Sequence, residues 1–161
     1  MTEMSGRRPI LVGVDGSTAS TAALEWAVAE AGRRDLPVQA VLVHLPQGQI
    51  MIGAVPYDAL PPTGIAAEHA DCVRRLADAV SEVDPADVVV DQMVATGRPG
   101  EELAKLSADA EMLVVGSHGH ARLAEVMLGS VSSYCVHHST CPVVVIPRHA
   151  WDREGASHGG Y

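Results

Sequence analysis

Two glycines and a glycine–serine pair are spaced so that they could bind a phosphate group. The stretch from Gly116 to Ser130 reads GSHGHARLAEVMLGS and directly follows the apolar run EMLVV. Gly116 and Gly119 permit backbone conformations with φ > 0 and let a ligand approach the main chain without meeting a Cβ. Gly129 and Ser130 precede a predicted helix, whose first N–H groups and positive dipole end suit an anion. This spacing favours a phosphate-binding loop, although a flexible loop without a ligand would explain scattered glycines nearly as well.

An aspartate follows the first apolar run of the chain, in the stretch VGVDGS. Asp15 lies on the turn into the first predicted helix, and Ser17 is available as its N-cap. Asp and Ser before a helix are ordinary capping residues, so spacing alone leaves a structural role and a functional role for Asp15 open.

Histidines and cysteines suggest two further kinds of site. The segment CVHHSTC holds the potential metal ligands Cys135, His137, His138 and Cys141. It lacks paired CxxC or HxxxH spacing and falls where a helix should end, which favours histidines at the carbonyl end of a helix dipole over a metal site.

Within the glycine loop, His118 and His120 could be polar contacts or a general base, and Arg122 is a candidate phosphate partner. No Ser or Cys nucleophile with a convincing partner accompanies the two histidines. The sequence therefore favours polar contacts to a ligand over catalysis.

Composition and missing motifs exclude several classes of protein. The net charge is −9 and Lys105 is the one lysine among 161 residues, so no basic stripe for nucleic acid exists. The chain contains no GxxxxGK[ST], its first strand–helix turn is not GxGxxG, and it has no GxSxG elbow. Three irregularly spaced cysteines and an N-terminal apolar run too short for a signal or a membrane span lead us to expect a cytoplasmic protein.

Five short apolar runs alternate with helical patterns. The runs read as continuous rather than alternating, as strands buried on both faces should. The predicted strands are Ile10–Val14, Val38–His44, Val88–Val94, Met112–Val115 and Val143–Ile146. The predicted helices are Thr18–Arg33, Thr63–Val83 (with Ile65, His69, Cys72, Val73, Leu76 and Val80 inward), Glu101–Ala108 and Ser130–His138. This order predicts an α/β fold, an open doubly wound parallel sheet whose ligands bind beyond the carboxyl ends of the strands.

We expect one domain over residues 9–148, a flexible N-terminus over residues 1–8 and a disordered tail over residues 149–161. The segment from Leu45 to Pro62 is longer than most connections in such folds. It is either a flap over the site or a tolerated surface insertion.

The spacing Gly116-x2-Gly119-x9-Gly129-Ser130 resembles the G-2x-G-9x-G-S/T nucleotide motif of the universal stress protein family, in its ATP-binding subgroup. The likeness covers roughly residues 8 to 148, from PILVGVDGSTASTAALEWA to LGSVSSYCVHHSTCPVVVIP. It implies five strands in the order 3-2-1-4-5, which would bring Asp15 beside the glycine loop. It also implies a homodimer that pairs the last strands, Val143 to Ile146, and so covers an apolar edge.

The resemblance further implies a role for each matching residue. Asp15 would lie near the adenosine, the backbone of Leu45 would contact adenine, and His118 would approach the phosphates. The nucleotide-binding residues that it implies are Gly13, Asp15, Leu45, Val115, Gly116, His118, Gly119, Gly129, Ser130, Val131 and Ser132. The implied ligand is ATP, accompanied by Mg²⁺.

Three functions remain open. The first is a regulatory protein of the stress response that binds an adenine nucleotide. The second is an enzyme, an ATPase or nucleotidyl transferase in which Asp15 holds Mg²⁺. The third is an interaction or dimerisation protein that has lost nucleotide binding, against which the intact glycines and Ser130 count. The resemblance favours the first, and the lack of an evident general base or catalytic lysine predicts slow hydrolysis at most.

Overall fold

The computed structural model describes residues 6–46, 62–118 and 128–147. Gly119, His120, Arg122, most of the segment between Leu45 and Pro62, and the tail from residue 149 lie outside the described residues. The strands are β1 (Ile10–Gly13), β2 (Val38–His44), β3 (Val90–Thr96), β4 (Met112–Gly116) and β5 (Val143–Ile146). The helices are α1 (Thr18–Arg34), α2 (Pro62–Ser81), α3 (Pro99–Leu106), followed by a 3-10 turn (Ser107–Asp109), and α4 (Ser130–His138).

The strands form one parallel sheet in the order β3-β2-β1-β4-β5, which confirms the predicted topology. The strand order reverses at β1, which lies between β2 and β4, with Val12 opposite Val114. The carboxyl ends of β1 and β4 therefore lie side by side, where ligands bind in sheets of this kind.

Helices cover both faces of the sheet. Along β1, Ile10 and Val12 pack toward α1 and α2, in a cluster that includes Leu24 and Leu76. Leu11 points to the opposite face and packs with Leu103 of α3. Because successive side chains of a strand alternate between faces, a fully apolar strand needs a helix layer on each side, as the continuous apolar runs predicted.

Three local predictions were wrong. Ile65, His69 and Val73 of α2 were expected to face inward, but all three are exposed, Ile65 at 51% and Val73 at 45%. The buried stripe of this helix instead follows Cys72, Leu76 and Ala79. In addition, β3 begins two residues later than predicted, and α3 begins and ends two residues earlier than predicted. The N–H of Val88 donates to the carbonyl of Pro85, so this valine belongs to the turn before the strand.

The segment CVHHSTC forms the end of α4 and the connection to β5. Nδ1 of His137 and of His138 lies 2.7 and 3.0 Å from the carbonyl oxygens four residues earlier. Cys135 is fully buried, and burial, with a smaller effect of Cys141, raises the pKa of its thiol to about 11. Within residues 6–46, 62–118 and 128–147, no group of three or more His, Cys, Asp or Glu side chains could hold a metal ion. Nor does that part of the chain contain a helix both long and apolar enough to cross a membrane.

Candidate functional site

A cleft of about 250 Å³ opens at the carboxyl ends of β1 and β4. The first turns of α1, α3 and α4 complete its walls. It therefore lies at the point in the sheet where the topology predicts a ligand. Its described lining residues are Gly13, Val14, Asp15, Ser17, Ser20, Val41, Val43, Pro99, Leu103, Val115, Gly116, Ser117, His118, Gly129, Ser130, Val131 and Ser132.

Asp15 is fixed by the turn that leads from β1 into α1. One of its carboxylate oxygens, Oδ1, accepts the N–H of Ser17 at 2.8 Å, and Oγ of Ser17 accepts the N–H of Ser20 at 3.2 Å. Gly16 between them has φ +82°, a conformation that favours glycine. Asp15 thus shapes the turn and also lines the cleft, so the two interpretations of this residue are compatible.

Gly116 lets α1 pack directly on the end of β4. A Cβ at this position would lie 2.9 Å from Cβ of Ala19 and 3.0 Å from its carbonyl carbon. The contact with α1 therefore requires glycine here, whatever occupies the cleft. From the sequence alone, Gly116 was predicted only to permit backbone conformations with φ > 0 and a close approach of a ligand to the main chain.

The amino end of α4 faces the cleft with free donors. Its N-cap is Gly129, which has no side chain to accept a hydrogen bond, whereas α1 is capped by Ser17. The N–H of Gly129 donates to the carbonyl of Ser117 at 2.8 Å, and the N–H of Ser133 begins the helical pattern. In the described part of the chain, the three N–H groups between them, those of residues 130–132, have no acceptor. Such groups, with the positive end of the helix dipole, suit an anion.

His118 lines the cleft beside Ser117. Its Nδ1 lies 2.9 Å from Oγ of Ser117. Its Nε2 is buried and, among the described residues, has no hydrogen-bond partner. Buried polar atoms are nearly always hydrogen-bonded, so an unpartnered nitrogen on a residue that lines the cleft marks a position where a bound molecule could supply the partner.

Part of the cleft lining is apolar, and α3 contributes to it. Val41, Val43, Pro99, Leu103 and Val115 line this part. A Cβ on Gly13 would lie 2.9 Å from Cδ1 of Leu103, so α3 packs closely on the end of β1. An apolar region with a few polar groups at one end is typical of small-molecule sites.

Ten of the eleven residues predicted for the site are described, and nine of them line the cleft. The tenth, Leu45, follows β2, is 39% exposed and does not line it. Gly119 lies outside the described residues. The sequence analysis did not identify the apolar lining residues of β2 and α3 or the polar lining residues Ser20 and Ser117. The one sequence signal for the start of α3 is the stretch GRPG, since proline is favoured in the first turn of a helix.

The model of the universal stress protein family matches residues 6–147 of the chain. The universal stress protein Rv2005c of Mycobacterium tuberculosis is 36% identical over 140 residues, which are 85% of this chain and 44% of that protein. A universal stress protein of Mycolicibacterium smegmatis is 35% identical over 145 residues, which are 87% of this chain and 46% of that protein. The chain thus spans about half the length of these curated relatives.

Solved structures with the same fold include universal stress protein UspA from Lactobacillus plantarum, with a TM-score of 0.64 and 29% identity over 87% of this chain and 98% of that one. A universal stress protein in complex with cAMP has a TM-score of 0.60 and 21% identity, over 89% and 98% of the two chains. A family protein from Arabidopsis thaliana with AMP bound has a TM-score of 0.56 and 21% identity, over 90% and 94%. The last two share the fold with this chain and hold an adenine nucleotide in their own structures.

Proposed function

The chain belongs to the universal stress protein family, and on that premise we propose that it is a regulatory protein of the stress response that binds ATP in the cleft between β1 and β4. The observation that carries this proposal is the row of free N–H groups at the start of α4, which faces a cleft whose lining is partly apolar. Two proteins of the same fold were solved with an adenine nucleotide bound, one with cAMP and the other with AMP. A nucleotide has the matching parts, a flat apolar base and an anionic phosphate chain.

The proposed pose follows the polarity of the cleft. Adenine occupies the apolar part of the cleft, with Val43 and Leu103 beside it. The ribose lies near Gly13 and Asp15, against Val115 and Gly116. The phosphates lie at the remaining predicted residues, which are His118, Gly119, Gly129, Ser130, Val131 and Ser132.

Charge favours a nucleotide that brings its own cation. Among the described lining residues Asp15 is the one residue with a formal charge at neutral pH when histidine is neutral. The phosphates would then contact the N–H groups and serine hydroxyl at the start of α4 rather than a lysine side chain. Bound Mg²⁺ would offset part of the phosphate charge. We therefore propose binding with slow turnover at most, because the phosphoryl-transfer enzymes rely on cationic groups placed at the transferred phosphate.

Ser130→Ala tests the phosphate end of the pose. Ser130 is exposed at the first position of α4 and lines the cleft. Losing a hydrogen bond to a charged group costs about 1–3 kcal/mol, so ATP affinity is expected to fall about 5- to 150-fold while adenosine binding stays unchanged. Calorimetric titration of both ligands measures this difference.

Ser133→Ala is the matched control, since Ser133 lies in the same helix and does not line the cleft. Wild-type ATP affinity in Ser130→Ala, or an equal loss for adenosine and ATP, would contradict the proposed pose.

We also propose that the protein forms a homodimer through β5. This strand pairs with β4 and, within the described chain, with no other strand. The carbonyls of Pro142 and Ile146 accept N–H groups from β4 and its end, so the alternate residues Val143 and Val145 direct their N–H groups to the outer edge. An apolar edge with free donors and acceptors is a template for pairing with a second copy.

Val145→Pro is expected to remove one outer-edge donor and shift a dimer to monomer, because proline is tolerated at an edge but cannot donate to a new ladder. Analytical ultracentrifugation measures the change. A wild-type protein that sediments as a monomer at high concentration refutes the dimer without affecting the nucleotide proposal.

A further inference from the structure

Three backbone and side-chain groups join the end of β4 to the start of α4. The carbonyl of Ser117 accepts the N–H of Gly129 at 2.8 Å and Oγ of Ser132 at 3.2 Å. Oγ of Ser132 also lies 3.0 Å from the carbonyl of Gly129. We refer to Ser117, Gly129 and Ser132 as the loop junction, because the chain leaves the sheet at the first and enters α4 at the second.

The loop junction is anchored in the sheet and tightly packed. The N–H of Ser117 donates to the carbonyl of Ile146 in β5 at 2.9 Å. A Cβ on Gly129 would lie 3.1 Å from the carbonyl oxygen of Ser117. The first N–H groups of α4 are thereby held at a fixed position relative to β4 and β5.

The hydroxyl of Ser132 donates its hydrogen bond within the loop junction. A serine hydroxyl has one proton to donate, and here both acceptors in range are backbone carbonyls. The residue is 2% exposed, so its hydroxyl is shielded from solvent. Ser130, two residues earlier, is exposed and its hydroxyl has no partner in the described part of the chain.

We propose that Ser132 is a positioning residue, which holds the α4 donors in place for the ligand and does not itself donate to a phosphate through its hydroxyl. This inference rests on the proposed nucleotide site and assigns different roles to Ser130 and Ser132 within it. Ser130 and the N–H groups of residues 130–132 contact the phosphates, while the Ser132 hydroxyl keeps the loop junction closed in the presence and in the absence of nucleotide.

The test compares Ser132→Ala, Ser130→Ala and the control Ser133→Ala in two assays on the full chain. The first is amide hydrogen exchange of Gly129 by NMR without nucleotide. Ser132→Ala is expected to speed this exchange roughly fivefold, which corresponds to one lost neutral hydrogen bond, whereas Ser130→Ala and Ser133→Ala leave it unchanged. The second assay is ATP titration, in which Ser132→Ala and Ser130→Ala both weaken binding and Ser133→Ala does not.

Unchanged Gly129 exchange in Ser132→Ala, together with weakened ATP binding, would overturn the proposal, because a residue that only contacts phosphate produces that result. If the variant does not fold, a structure of the wild-type protein with ATP decides the point. Oγ of Ser132 is expected within hydrogen-bond distance of the Ser117 carbonyl, and a shift of that atom onto a phosphate oxygen would refute the positioning role. If no nucleotide binds at all, the titration fails for the wild type while the exchange assay still reports on the junction, so the two failures are distinguishable.

Discussion

Gly116→Val is expected to lower the free energy of unfolding by about 3 kcal/mol and to abolish nucleotide binding. The new Cβ would lie 2.9 Å from the side chain of Ala19 and within 3.1 Å of its backbone, and a helix backbone cannot yield as a flexible side chain can. Forcing extra carbons into a packed contact costs about 1–3 kcal/mol, occasionally more, and valine adds three. α1 would have to move off β4, which displaces Asp15 and Ser17 from the cleft. Urea denaturation and ATP titration measure the two effects.

Gly64→Val serves as the control for this substitution. Gly64 lies in the first turn of α2, where an added Cβ would meet nothing within 4 Å. The control should keep wild-type stability and binding. A Gly116→Val protein that is as stable as this control would show that α1 does not pack on β4 as closely as the structure indicates.

Leu103→Ala is expected to cost about 2–5 kcal/mol of stability, the usual range for a buried leucine. Leu103 is 3% exposed and packs with Leu11, Leu113 and Cys135 beneath the sheet, and it also lines the apolar end of the cleft. Because the proposed pose places adenine there, adenosine and ATP should lose affinity by the same factor, in contrast to Ser130→Ala. Thermal or urea unfolding and titration of both ligands measure these outcomes.

Leu106→Ala is the comparison variant for this prediction. Leu106 is one turn further along α3, packs only partly against the same cluster and does not line the cleft. It should lose less stability and retain binding. Equal adenosine affinity in Leu103→Ala and Leu106→Ala would contradict the placement of the base.

The fold could be predicted from the sequence because a parallel sheet covered by helices gives continuous apolar runs that alternate with helical segments. Strands buried on both faces appear as continuous apolar runs, and β2 and β5 have the bounds that those runs predicted. The helix α4 also has its predicted bounds. The errors lie where pattern and packing differ. Val88 is as apolar as a strand residue but is used in a turn, and Val73 fits helical spacing yet falls beside the buried stripe of α2.

The candidate site was predictable where it depends on local backbone chemistry. The glycines and the serine at the start of α4 could be identified because their residue types are needed at turns and helix ends, whereas Asp15 was assigned to the site only through the family resemblance. The apolar end was not, since Leu103 has the spacing of an ordinary core residue and only the packing of α3 on Gly13 brings it to the cleft. The position of Ser132 was predicted, whereas the direction of its hydroxyl depends on the fold.

The most direct test of the central claim is equilibrium dialysis of the protein, stripped of any co-purified ligand, against ATP with Mg²⁺. We predict saturable binding of about one ATP per chain, which Gly116→Val abolishes and Gly64→Val retains. No retention of ATP by the folded wild-type protein, and none of AMP or cAMP in parallel chambers, would contradict the assignment of the cleft between β1 and β4 as a nucleotide site.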